Sequence, residues 1–387
     1  MMDSRSWPAG GMSPGTDPAA LRFITTAVVA SLVLSGVALV LWRGPVTDGA
    51  AGQQMAASRP ALPGSSGSAQ AAGVKLLEQA AQACRLISYQ GVEVAWWGAG
   101  SGDTSMIDVW HQPGGQALTQ VPGTAMEWPN QPHHSLPPAG VSSPNLDEAG
   151  VLGMSPRLVA LLGANYVVAV TGRGWVAGRP ARIVTVRRPG GSLAAWFWLD
   201  SSTSLPLRKE MFDARAHLIS SVTFAEVRIG RGAVSGEPAP VARAWPTTLA
   251  SAKLAALRAR GWPLPGPLPG NLTLIGAKEN PVPAGPVVDL DYSDGLSVVS
   301  IFVQRGYLPA GLSGWSQVAV QGHKVYANDP DDLCFAWSAR GFVYTLIAAA
   351  PRQTVGQVVA ALPHEDDLGL LGRMRHGLHR LLSLVSP

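Results

Sequence analysis

Residues 287–304 read "VVDLDYSDGLSVVSIFVQ", and the reading of this stretch decides what kind of molecule the chain is. Ser293 and Asp294 stand side by side after Tyr292, a nucleophile next to an acid. The same residues are an Asp-Gly pair between two apolar runs, the pattern of a hairpin turn. Adjacent residues on a turn point apart, and no pattern places a histidine beside them, so the pair is no triad signature. Val288, Leu290 and Tyr292 alternate with Asp289 and Asp291, as in a half-buried strand. A two-residue turn at Asp294-Gly295 sets Leu290 opposite Val299 and Val288 opposite Ile301, uniting apolar residues on one face. A three-residue turn would put Val288 against Ser300 and Asp289 against Val299, so the shorter loop is expected. Tyr292, Ser293, Asp294, Gly295 and Leu296 thus form a hairpin tip and a candidate partner-contact edge.

The segments around this hairpin read as a small α+β unit, residues 261–364. It opens with "GWPLPGPLPGNLTLIGA" and carries a strand pair at "SQVAVQGHKVYAN". A hairpin follows at "LCFAWSARGFVYTLIAA", turning near Ala339-Arg340-Gly341. The unit closes with a helix, "TVGQVVAALP", for which Thr354 is the expected cap and Val355, Val358, Val359 and Leu362 the apolar stripe. Residues 231–260 are polar and Pro-containing and read as a connector. Upstream, residues 74–230 read as a larger antiparallel β domain. A first amphipathic helix spans "VKLLEQAAQACRLI", and "YQGVEVAWWG" and "SMIDVWH" follow as strands. Six prolines interrupt residues 121–150. A short helix at "SPRLVALLG" has Ser155 at its N-cap, Pro156 in its first turn and Gly163 as its stop. Five strands then run from "NYVVAVTG" to "HLISSVTFAEVRI", parted by turns at Pro189-Gly190-Gly191, Asp200-Ser201-Ser202 and Asp213-Ala214.

Residues 23–42, "FITTAVVASLVLSGVALVLW", are uncharged between Arg22 and Arg43 and long enough to span a bilayer as a helix. This predicts a retained anchor rather than a signal peptide; cleavage near Ala50-Ala51 is the alternative. Residues 1–22 would then be cytoplasmic and the bulk of the chain extracytoplasmic, a single-pass protein of the cell membrane. Residues 43–73, rich in Gly, Ala, Ser and Pro, read as a flexible stalk. The tail, residues 365–387, places Leu371, Met374, Leu378, Leu381 and Val385 on one helical stripe beside Arg373, Arg375 and Arg380. Such a stretch suits a membrane surface, a partner helix or packing on its own domain.

The 387 residues carry only 14% charged side chains and a net charge of +4, with 44 Gly and 32 Pro. That mixture favours turn-rich β structure, and without a Lys/Arg-dense block gives nucleic-acid binding no support. "GMSPR" and "GLSGW" lack the second glycine of a nucleophile elbow. His133-His134 and the pair His376 and His379 have no carboxylate or cysteine at a zinc spacing, and Glu365-Asp366-Asp367 is no EF-hand loop. Phosphate-binding glycine loops are absent. No catalytic residue, metal site or cofactor is therefore expected.

Two features stand out against this background. Among 13 tryptophans, Trp96, Trp110, Trp196 and Trp198 fall on expected strands, and Trp196 and Trp198 share one strand face. Such indoles fill a sheet's core, or line an apolar groove for an acyl chain or hydrophobic peptide. Cys84 and Cys334 are the only cysteines. In an oxidising compartment they are a candidate disulfide tying the two domains; two buried thiols are the alternative.

The pieces quoted resemble, in order and spacing, the MucB/RseB family of sigma-factor regulatory proteins. In the larger domain the resemblance runs from the opening helix into "LISYQGVEVAW" and through "GRPARIVTVRRPGGSLAAWFWLDSSTSLPLRKEMFD". In the smaller it lies in "GWPLPGPLPGNLTLI", "LDYSDGLSVVSIFV" and "TVGQVVAAL". It implies an extracytoplasmic two-domain protein: a lipoprotein-carrier-like antiparallel half-barrel with helices, then a smaller α+β domain. It also implies that the partner is the exported part of a transmembrane anti-sigma factor, shielded from proteolysis until a lipid or envelope-stress ligand relieves the protection. The uncleaved anchor, the proline-rich insert and the basic tail depart from the family pattern. A lipid or lipoprotein carrier is the alternative function.

Overall fold

The computed structural model describes residues 67–97, 103–113, 118–120, 152–234, 247–282, 285–308, 312, 314–327 and 333–365. The expected anchor at 23–42, the proline-rich stretch at 121–150 and all but the first residue of the tail lie outside these. Among the described residues, no helix is long and apolar enough to cross a membrane.

Two eight-stranded sheets, antiparallel throughout, account for most of the described chain. The first is built from β1 (Tyr89–Trp97), β2 (Asp103–His111), β3 (Leu118–Gln120), β4 (Val167–Val176), β5 (Arg179–Arg187), β6 (Leu193–Asp200), β7 (Pro206–Phe212) and β8 (Leu218–Ile229). Its order is β3-β2-β1-β8-β7-β6-β5-β4, so β4 to β8 are a meander and β1 joins by pairing with β8. Helix α1 (Gly67–Leu86) packs on this sheet against β4, and α2 (Pro156–Asn165) packs on α1. Helix α1 begins inside the stretch expected to be stalk. Its buried side, with Leu76, Leu77, Ala80, Ala81 and Cys84, meets one sheet face through Tyr89, Ala95, Ile107, Val109 and Val168. Ser155 caps α2 as expected, its hydroxyl accepting from the Leu158 amide at 3.3 Å. Gly163 does not stop that helix, which continues to Asn165; a Cβ at Gly163 would stand 3.4 Å from the Val74 side chain of α1.

The second sheet comprises β9 (Thr247–Thr248), β10 (Thr273–Val282), β11 (Gly285–Ser293), β12 (Val298–Arg305), β13 (Ser316–Val320), β14 (His323–Ala327), β15 (Cys334–Ala339) and β16 (Phe342–Ala349). Its order is β13-β14-β15-β16-β12-β11-β10-β9. The expected turn at Ala339-Arg340-Gly341 is present, with Arg340 and Gly341 both at positive φ. Helices α3 (Ser251–Ala259) and α4 (Arg352–Ala361) share its core, through Leu254 and Leu257 of one and Val355, Val358 and Val359 of the other. Two expectations change here. Part of the expected connector is the helix α3, whose two leucines supply the apolar stripe that turns it inward. Thr354 is not the cap of α4: the helix starts earlier, after Pro351, and has no side-chain cap.

The register of the 287–304 hairpin also differs from the expected one. Leu290 faces Ile301, Val288 faces Val303 and Ser293 faces Val298, leaving a four-residue loop at 294–297. Because the slip is two residues, the apolar set keeps its face. The longer loop exists because Leu296 is drawn out of the hairpin into the core of the other sheet, where it is 3% exposed. Asp289 and Asp291 are not half-exposed either; both are fully buried on the second face of β11.

Candidate functional site: the hairpin between the sheets and the tryptophan face

The tip of the β11–β12 hairpin is where the smaller unit grips the larger one. Asp294 Oδ1 accepts the amides of Leu296 and Ser297 at 2.9 and 2.6 Å, which shapes the loop. Its Oδ2 accepts the Tyr166 hydroxyl at 2.6 Å, and its carbonyl accepts Asn165 Nδ2 at 2.9 Å. Gly295, at φ +98°, lies flat on α2: a Cβ there would meet Leu162 N at 2.2 Å and Leu158 O at 2.7 Å. Only glycine combines that φ with that approach. At the other end of α2, Arg157 donates to the carbonyls of Ile275 and Leu274 at 2.6 and 2.7 Å. A β-bulge in β10 at this point leaves Ile275 without an opposite residue on β11.

Ser293 and Asp294 are therefore structural. Ser293 Oγ donates to Ser297 O at 2.7 Å and accepts from the Gly295 amide, while Tyr292 donates to Pro265 O at 2.9 Å from within the second core. Burial pushes the Tyr292 phenol up to about 12 and lifts Tyr166 further, the Asp294 carboxylate adding to the effect. As a partner-contact edge the tip is corrected: Tyr292, Ser293, Asp294 and Leu296 are buried, the first two bonded within their own unit, Asp294 to the end of α2 and Leu296 in the first core. Half-buried Lys209 of β7 belongs to the same region. Burial lowers its pKa to about 8, against a weaker upward pull from Asp294.

Tyr166, Asn165, Arg157 and Lys209 were not singled out from sequence. One of them carried a sign: Arg157 sits in the first turn of a helix, where the macrodipole disfavours a cation, so something else has to hold it.

Side-chain alternation and cross-strand register place Trp96, Trp110, Trp196 and Trp198 on one face of the first sheet, the face away from α1. They do not converge on one groove. Trp196 meets Trp198 edge-on at 6.1 Å and Phe212 at 5.1 Å, and the Arg208 guanidinium lies 4.7 Å from the Trp198 ring centre. Trp96 stands in the same row as Trp196 but on β1, with β8 and β7 between them. Trp110 lies towards the other end of β2, lining a depression of about 110 Å³ with Gln90, Val92, Asp108, Glu226 and Arg228. That volume is below the ~300 Å³ of a small-molecule pocket.

On the α1 side, Cys84, Glu93 and His111 are buried near one another around Tyr89, which stacks on His111 at 4.9 Å. A thiol, an imidazole and a carboxylate suggest nucleophilic chemistry, but the electrostatics oppose it. Burial pushes the Cys84 thiol up to about 12 and holds His111 below its usual value, while His111 Nδ1 donates to Ile87 O at 2.8 Å. A thiol kept protonated in a dry core is not an activated nucleophile. Among the described residues no group of three or more His, Cys, Asp or Glu could hold a metal ion. No disulfide joins Cys84 to Cys334: the first is buried beneath α1, the second on β15 of the other sheet.

Known proteins resemble parts of the chain. Residues 140–249 match the family model described as the MucB/RseB N-terminal domain, a span that includes α2 and β4 to β8. The sigma factor AlgU regulatory protein MucB of Pseudomonas aeruginosa is 26% identical over 235 residues, 59% of this chain and 73% of that protein. A crystal structure of MucB covers 76% of this chain and 98% of its own at 19% identity, with a TM-score of 0.46. The MucA/MucB complex structure from Pseudomonas aeruginosa gives 20% identity and a TM-score of 0.42, with 76% and 98% covered. The family model over α2 and the meander, and the curated relative alongside it, bear out the resemblance read from the sequence: residues 140–249 are similar to the MucB/RseB N-terminal domain.

Proposed function

We propose that the chain is a non-enzymatic extracytoplasmic regulator of an extracytoplasmic-function sigma factor, held at the membrane by residues 23–42. It would bind the exported part of a transmembrane anti-sigma factor. The observation that carries this reading is the 235-residue match to a sigma-factor regulatory protein. The hairpin joint supports it physically. Two sheets linked through one inserted leucine, one short loop and a few hydrogen bonds can exist in more than one relative arrangement. A ligand preferring one of them would shift partner binding, by no more than its differential affinity. We take the larger sheet to be the carrier-like half-barrel that the resemblance implies, with a lipid or envelope-stress molecule as the ligand. Crosslinking in membranes followed by purification of the full chain tests the reading. Recovery of a membrane anti-sigma protein is expected, and its absence would overturn the proposal.

A second reading, a lipid or lipoprotein carrier, would rest on the Trp196, Trp198 and Phe212 cluster rather than on a groove shared by the four tryptophans. Native mass spectrometry would then show bound lipid with no protein partner.

A further inference from the structure

Among the described residues β4 closes one side of the first sheet. Helix α1 covers its start, where the Val168 amide donates to the Gln70 side chain, and beyond Val168 no strand neighbours its outer N–H and C=O groups. Proteins blunt such edges with charges, bulges or a covering element. This edge has a bulge between Val170 and Gly172, and the bulge has a second effect. It restores side-chain phase so that Val170, Arg173 and Trp175 project to the same face, beside Pro180 and Arg182 of β5. Trp175 is 73% exposed and Val170 38%. A strand edge merely protected against self-association would not display an indole; a large exposed aromatic beside an open edge is a recognition feature.

The charge around it has one sign. Residues 167–193 contain Arg173, Arg179, Arg182, Arg187 and Arg188 and no Asp or Glu. Among the described residues, only Arg179 of these is paired with a carboxylate, that of Asp200 at 2.7 Å. Arg182 donates to the Ser204 hydroxyl, and exposed Arg173, two residues before Trp175, has no carboxylate at ion-pair distance among the described residues; Arg187, opposite Val167 at the far end of β5, and Arg188 after it donate to backbone carbonyls instead.

We propose that the β4 edge is a docking strand for an extended acidic segment of a protein partner, which adds to the sheet as a further strand. Main-chain hydrogen bonds to β4 would supply affinity, Trp175 and Val170 would take alternate apolar side chains, and the arginines would select Asp and Glu. The inference stands on β4 alone and goes beyond the sigma-factor reading, so either can fail without the other.

The test uses the full chain and a synthetic peptide alternating Glu with Val and Leu. Two copies of the peptide carry N-methyl groups on alternate amides, one in each register, and another has Lys for Glu. Anisotropy of a dye-labelled Glu peptide titrated with the full chain should show saturable binding, weakening as salt rises. Arg173→Glu and Trp175→Ala, checked by thermal midpoint for an intact fold, should each weaken binding tenfold or more when followed by calorimetry. One of the N-methylated peptides and the Lys peptide should fail to bind. No binding of the Glu peptide, equal binding of both N-methylated forms, or indifference to the β4 substitutions would overturn the proposal. So would a concentration-dependent dimer abolished by Trp175→Ala, which would assign the edge to a second copy. Trp175-dependent binding to phosphatidylglycerol vesicles without peptide binding would likewise reassign it, to a membrane surface.

Discussion

Replacing Gly295 by alanine tests whether the hairpin tip holds the two sheets together. The added Cβ would lie 2.2 Å from Leu162 N and 2.5 Å from Leu162 Cα, and both atoms belong to the backbone of α2. Neither can yield without moving the helix, so the hairpin has to withdraw. The strain of an L residue at φ +98° costs about 1–3 kcal/mol. Withdrawal re-exposes Leu296, about 1.5–3 kcal/mol, and breaks the Tyr166 bond to the Asp294 carboxylate, about 1.5–3 kcal/mol. Gly322→Ala is the control. That glycine, at φ +85° in the β13–β14 turn, has nothing within 4 Å of where a methyl would stand and so bears the conformational cost alone. The variants should therefore differ by about 3–6 kcal/mol, roughly 6–20 °C in melting midpoint for a domain of this size. Scanning calorimetry gives the midpoints, and hydrogen exchange at the amides of α2 shows whether the joint has opened. If Gly295→Ala melts within a degree or two of Gly322→Ala, with α2 equally protected, the tip does not hold the sheets together.

The remaining predictions concern ionisation and thiols. Lys209 titrates near 8 in the folded chain and at 10.5 when unfolded, so between these values the unfolded state binds more protons. Stability should climb from pH 8 towards pH 9, in urea midpoints, and the climb should vanish in Lys209→Met; above about pH 9 the buried Cys84 thiol, and above about pH 10 the buried tyrosines, all raised in the fold, give the opposite slope. Burial, and then the neighbouring Asp291, hold the Asp289 carboxyl far above its usual range, so stability falls as pH rises past 3.8 towards the raised value. Asp289→Asn should flatten that fall and raise the urea midpoint at pH 7; a lower midpoint would show that the ionised form is needed. Cys84 and Cys334 should react with a thiol reagent only on unfolding, and reductant should leave the melting midpoint unchanged.

Much of this architecture is written in local pattern. Alternation and turn chemistry announce the meander from β4 to β8, the pairs β13–β14 and β15–β16, and the Ser155 cap, because each depends on residues close in sequence. The shared face of Trp96, Trp110, Trp196 and Trp198 follows from the same alternation once register is known. Their failure to form one groove does not, since it depends on which strands come between them. The alternation in 287–304 likewise settled that a hairpin exists and which side chains face its core. It could not settle the loop length. That was decided by a helix more than a hundred residues upstream, against which Gly295 lies flat and into whose core Leu296 is drawn. The burial of Asp289 and Asp291 and the lowered pKa of Lys209 have the same origin. Local sequence sets periodicity and turn type, whereas desolvation and close approach belong to surfaces that meet only when the chain has folded.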